Sequence, residues 1–112
     1  MWWQHSVMTH KGQIETKIRR ALWLPYGKHP DDETVERAFR TSFKKNGGDL
    51  KALSEYWDRL ETIGRIKAKI NRTMSRVHPR WARSERERAV EEEFARALRM
   101  SNGDLQRLSS IW

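Results

Sequence analysis

The sequence predicts an all-α protein: two tandem three-helix repeats, A-B-C used twice, packed as one compact helical domain. Three observations point there. Apolar residues recur at helical spacing with no strand-like alternation, a 23-residue stretch recurs without a gap, and Gly and Asp punctuate both copies at matching places. Val35 to Trp57 laid over Val90 to Trp112 matches at nine of 23 positions. An unrelated pair would share roughly one or two, and the shared positions include Val, Phe, Gly-Asp-Leu, Leu-Ser and Trp. A weaker match precedes it, Ile14, Lys17, Ile18, Arg20 and Leu22 against Ile66, Lys69, Ile70, Arg72 and Met74. The expected organisation is one domain over 1–112, with repeat 1 at 13–60 and repeat 2 at 62–112.

Residues 1–12 carry no periodic pattern and no signal-peptide layout, so a loosely ordered arm is expected there, with Trp2 and Trp3 able to fill a groove on the domain or on a partner. The first A helix is expected from about Gln13 to Leu24, ending at Pro25. In the first B helix Val35, Ala38, Phe39 and Phe43 form one apolar face, and Val90, Phe94, Ala97 and Leu98 repeat it. Asp31 or Asp32 is the expected cap of the first B, and Ser84-x-x-Glu87 reads as a capping box for the second. Gly47-Gly48 and Asn102-Gly103 permit left-handed termination, after which Asp49 and Asp104 cap the C helices. Leu50, Leu53 and Trp57, and likewise Leu105, Leu108 and Trp112, point inward. The second A helix has an apolar stripe of Ile63, Ile66, Ile70, Met74 and Val77, stopped by His78-Pro79. Between the first C and this helix a bend is expected near Gly64.

Charge is concentrated on the A helices. The chain carries 23 Lys and Arg against 15 Asp and Glu, a net +8, of which residues 59–83 contribute +7 and residues 11–28 contribute +4. From Thr62 to Arg83 there are seven basic residues, Arg65, Lys67, Lys69, Arg72, Arg76, Arg80 and Arg83, and no carboxylate. Arg65, Lys69, Arg72 and Arg76 stand at i, i+4, i+7 and i+11, a cationic stripe of ~16 Å roughly opposite the isoleucines. A solvated helix face usually interleaves Glu with its cations, whereas like charges at i,i+4 destabilise a helix by a few tenths of a kcal/mol. A polyanion would offset that cost. Arg outnumbers Lys 15 to 8, which suits bidentate phosphate contacts. The expected nucleic-acid-binding set is therefore Arg65, Lys67, Lys69, Arg72, Arg76, Arg80 and Arg83, extended by Arg19 and Arg20. Trp23, Tyr26 and Trp81 flank the loops after A beside Lys28, Arg80 and Arg83, placed for base stacking, an interface or plain core packing.

The order Leu53-Ser54, Trp57, then Thr62 to Ile66 is similar to a support helix followed by a recognition helix, and the run 32–74 is loosely similar to Myb/SANT repeats. That resemblance implies that Arg65, Lys69 and Arg72 face the DNA groove. The tryptophan spacing of those repeats is missing, the turn length differs by about one residue, and the second copy ends at Trp112 before a third helix, so no family is assigned.

Other chemistries find little support. There is no cysteine, hence no disulfide or thiolate site, and a cytoplasmic protein is expected. No apolar run approaches the ~20 residues of a membrane span. His5, His10, His29 and His78 lack metal-ligand spacing, and Asp31-Asp32-Glu33 and Glu91-Glu92-Glu93 read as acidic first turns of the B helices. No glycine-rich phosphate cradle or nucleophile turn is present. The expectation is a non-catalytic protein with no cofactor and no metal, whose partner is DNA or RNA. The alternative is an interaction module that docks an acidic protein surface or a second copy of itself.

Overall fold

The computed structural model describes the backbone from Trp2 to Trp112 and the side chains from His10 onward. Among these residues there are five helices and no strand: α1 (Trp2–Trp23), α2 (Asp32–Lys45), α3 (Leu50–Val77), α4 (Arg83–Met100) and α5 (Leu105–Ile111). None is long and apolar enough to cross a membrane.

The start and stop chemistry read from the sequence accounts for most of these boundaries. Asp31 caps α2 by accepting a hydrogen bond from the Thr34 N–H, which also holds the Asp31 carboxyl below its usual value. Asp49 and Asp104 cap α3 and α5 in the same way. After α2, Gly47 and Gly48 take positive φ, and after α4 Asn102 and Gly103 do so, which lets the chain reverse into the next helix. Helix α3 ends at Val77, before His78-Pro79.

Three boundaries differ from expectation. Helix α1 begins at Trp2, so helix extends through the segment expected to be a loose arm; the side chains of Trp2 and Trp3 lie outside the described residues. The first C and second A elements are one continuous 28-residue helix, unbroken at Gly64. Gly64 serves packing instead: a Cβ there would lie 3.1 Å from Leu24 Cβ and 3.2 Å from the Ala21 carbonyl oxygen, so its missing side chain admits the end of α1. Continuity through Asp58–Thr62 also removes the turn on which the helix–turn–helix comparison depends. Finally, α4 begins at Arg83 behind Ala82, which makes no side-chain cap, so the Ser84-x-x-Glu87 box does not form. Glu91, Glu92 and Glu93 lie not in the first turn of α4 but in its middle, where they would also lie had Ser84 capped the helix.

Contacts between α1 and α3 climb in step, from Lys17 with Ser54 and Asp58 to Arg20 with Glu61 and Ala21 with Gly64, so the two helices run in the same direction. Apolar side chains gather in two clusters. One contains Ile14, Ile18, Val35, Phe39, Leu53 and Trp57, from α1, α2 and the first half of α3. The other contains Ile66, Ile70, Val90, Phe94, Ala97 and Leu108, from the second half of α3 with α4 and α5. Burying an aliphatic side chain stabilises by about 1.5–3 kcal/mol, and each cluster draws its buried residues from three helices, which ties those helices together. In the first, the buried Ser42 hydroxyl accepts a 3.0 Å hydrogen bond from Trp57 Nε1 and donates to the Ala38 carbonyl, which satisfies the indole inside the core.

Candidate nucleic-acid interface

The second half of α3 turns Ile63, Ile66, Ile70 and Met74 toward the second cluster, which leaves its cations on the remaining faces. Those cations fall into two groups.

The first group has carboxylate partners. Arg65 donates to Glu61 at 2.6 Å, and Arg20 approaches the same oxygen at 3.3 Å. Glu61 is buried, with only 12% of its side chain exposed, so two guanidinium groups converge on a carboxylate sheltered between α1 and α3. Arg19 pairs with Asp32, and Arg83 with Glu87, which Lys28 also contacts at 3.0 Å. Lys67 turns toward α4, where its ammonium lies 2.9 Å from Glu91 and above the Phe94 ring. The row expected to be free of carboxylates is therefore neutralised at both ends, at Arg65 and Lys67 and again at Arg83. The sequence signal was present: Glu61 stands four residues before Arg65, just outside the carboxylate-free window.

The second group has no such partner. Among the described residues, Lys69, Arg72, Arg76 and Arg80 form no ion pair, and Arg72, Arg76 and Arg80 are exposed. Lys69 to Arg76 spans ~10 Å of helix, and Arg80 continues the track past the helix end. The free portion is shorter than the ~16 Å expected. Close by, Arg86 Nε donates to Asn71 Oδ1 at 3.0 Å.

The three aromatic candidates separate as well. Tyr26 packs against the second cluster, and its hydroxyl donates to Glu91 and approaches the Glu87 carbonyl oxygen. Burial, followed by the hydrogen bond to Glu91, pushes the Tyr26 phenol well above its usual range. Burial also raises Glu91, but the hydrogen bonds from Tyr26 and Lys67 outweigh it and leave the carboxyl below its usual value. Tyr26 is thus committed to joining the α1–α2 loop to α4, a link that no spacing in the sequence announces. Trp81 is half-buried and stacked on His78, with ring centroids 3.8 Å apart and planes 6° from parallel. Trp23 stays 39% exposed, and its contact with His29 is looser, 5.7 Å at 26°.

No group of three or more His, Asp or Glu side chains among the described residues is arranged to hold a metal ion. No family model, curated protein or solved structure matches this chain.

Proposed function

We propose that this chain is a small non-catalytic nucleic-acid-binding protein of the cytoplasm, which holds the phosphate backbone through Lys69, Arg72, Arg76 and Arg80. The observation that carries the reading is that these four unpaired cations follow one another along α3 and just past its end, in a stretch from Thr62 to Ala82 that contains no carboxylate. An unpaired stripe is an electrostatic cost to the helix, and phosphates would offset it while releasing condensed counterions. Arg65, Lys67, Arg83, Arg19 and Arg20 extend the positive field, but each must leave an internal carboxylate before it contacts a phosphate directly.

The same reading takes the architecture as one A-B-C unit used twice within a single domain, with the first C and the second A fused in α3. Two features support it. The aligned pairs Ile14/Ile66, Ile18/Ile70, Val35/Val90, Phe39/Phe94 and Leu53/Leu108 supply the two apolar clusters position for position. Both B-to-C connections also share positive-φ termination followed by an Asp cap.

A labelled-oligonucleotide titration over a series of salt concentrations tests the proposal. Four phosphate contacts predict that log K falls against log salt with a slope near −3. Absence of binding at low salt to duplex DNA, single-stranded DNA and RNA alike rejects it. A second reading, an interaction module docking an acidic protein surface or a second copy, is favoured by Met100 and Ile111. These are 70% and 68% exposed and lie beside Trp112 on a shallow groove between α4 and α5. Light scattering that gives a dimer at high concentration, together with no oligonucleotide binding, would select it.

A further inference from the structure

We infer that the groove between the α1–α2 loop and α3 seats an unpaired nucleobase, which makes single-stranded nucleic acid the ligand class of the cationic track. The inference rests on the nucleic-acid reading above and adds to it the form of the ligand.

The groove is open to solvent along its length, offers about 420 Å³, and is lined by Trp23, Leu24, Pro25, Ala68, Asn71 and Arg72 among others. Its lining combines three kinds of group suited to a flat heterocycle attached to a phosphate. Trp23 supplies an exposed indole, already in loose contact with one flat ring, that of His29. Leu24, Pro25 and Ala68 provide an apolar floor that favours a π-face over a solvated ion. Asn71 supplies a directed polar edge: its Oδ1 is engaged by Arg86, which orients the amide, while its Nδ2 donates to no described residue and is left for a base carbonyl or ring nitrogen.

Arg72 makes the connection to the track. It lines the groove, carries no carboxylate partner, and belongs to the same stripe as Lys69 and Arg76. A nucleotide whose phosphate meets this stripe has its base within reach of the groove. Bases in a duplex are paired and stacked, and extruding one costs a few kcal/mol, whereas a single strand presents them free. A stacking surface beside backbone-tracking cations is the arrangement by which single strands are held. Trp81 does not offer a second seat of this kind, because His78 already covers its ring at close range.

The test is fluorescence anisotropy with three labelled probes of equal charge: oligothymidylate, an abasic oligomer with the same sugar–phosphate chain, and a hairpin duplex. The wild-type chain is compared with Trp23→Ala and Trp23→Phe. Trp23 is exposed, so the fold should persist, which far-UV circular dichroism checks. Oligothymidylate is expected to bind roughly 5- to 100-fold more tightly than the abasic oligomer. Trp23→Ala should erase that difference without altering abasic binding, and Trp23→Phe should restore most of it. Equal binding of oligothymidylate and abasic oligomer by the wild type, a duplex preferred over both, or an equal effect of Trp23→Ala on all probes overturns the inference and leaves the phosphate-binding proposal standing. Failure to bind any probe overturns both.

Discussion

Replacing Gly64 with Ala should destabilise the protein, although the same change in an open helix would stabilise it. Gly in a helix interior is disfavoured relative to Ala by about 1 kcal/mol, so the substitution begins with a gain of that size. Against it stands the packing at the end of α1. The new methyl would sit 3.1 Å from Leu24 Cβ and 3.4 Å from Pro25 Cδ, where carbon pairs prefer about 3.5–4.0 Å, and would press against the Ala21 carbonyl oxygen at 3.2 Å. Ala21 O is backbone within α1 and Leu24 Cβ is attached directly to it, so neither can swing away. The end of α1 must give by a few tenths of an ångström, and overpacking of this kind costs about 1–3 kcal/mol. The net expectation is a loss of about 1 kcal/mol, a fall of several degrees in melting temperature. Gly12 is the control: it is exposed within α1 and a Cβ there meets nothing within 4 Å, so Gly12→Ala should gain about 0.5–1 kcal/mol. Urea denaturation of both variants, with unchanged slopes, measures the contrast. If Gly64→Ala stabilises as much as Gly12→Ala, the account of Gly64 as the point where α3 admits the end of α1 is wrong.

Further outcomes follow from the buried and linking hydrogen bonds. Ser42→Ala leaves the Trp57 indole N–H buried without an acceptor, and should cost about 1–3 kcal/mol in urea denaturation. A change below about 0.5 kcal/mol would mean that the indole finds another partner. The Tyr26–Glu91 link predicts a stability plateau with losses on both sides. Glu91 and Glu87, the latter paired chiefly with Lys28, have folded-state carboxyls below the ordinary 4.5. Their contribution is present above that value and is lost as pH falls through the lowered one. Tyr26 is shifted upward from 10.0, so its contribution is complete below pH 10.0 and is lost as pH rises toward its folded-state value. Tyr26→Phe should therefore be less stable near neutrality by about 1 kcal/mol. It should also lose stability less steeply above pH 10 than the wild type, and identical alkaline slopes in the two proteins would refute the link.

The helices were legible in the sequence because burial on one face leaves a period, and because Asp and Gly act locally at caps and turns. Val35 and Phe39, Asp49 and Gly48 each declare their role within a few residues. Other features depend on what lies opposite. Periodicity cannot tell two helices from one when the residues between them, Asp58 to Thr62, are compatible with helix, and Gly64 looks like a hinge until the end of α1 is seen against it. Ser84 and Glu87 have the right spacing for a capping box, but the helix already starts at Arg83, so Ser84 lies in its first turn. In the candidate interface the excess of charge was legible and its compensation only partly so. Arg65 could be paired from its spacing to Glu61, whereas Lys67 with Glu91 and Arg19 with Asp32 are meetings across the fold. Tyr26 lay in the same category: stacking, an interface and core packing were all open from the sequence, and the ring packs on the second cluster while its hydroxyl ties the loop to α4.

The most direct measurement compares two triple variants that remove the same charge from different places. Lys69→Ala/Arg72→Ala/Arg76→Ala removes three of the unpaired cations from α3. Arg40→Ala/Lys44→Ala/Lys45→Ala removes three from the surface of α2. Each is titrated with a labelled single strand across a range of salt. The α3 triple should reduce the magnitude of the salt slope by about two, and the α2 triple should leave it near the wild-type value. Equal effects of the two triples would show that net charge alone, rather than this stretch of α3, attracts the polyanion.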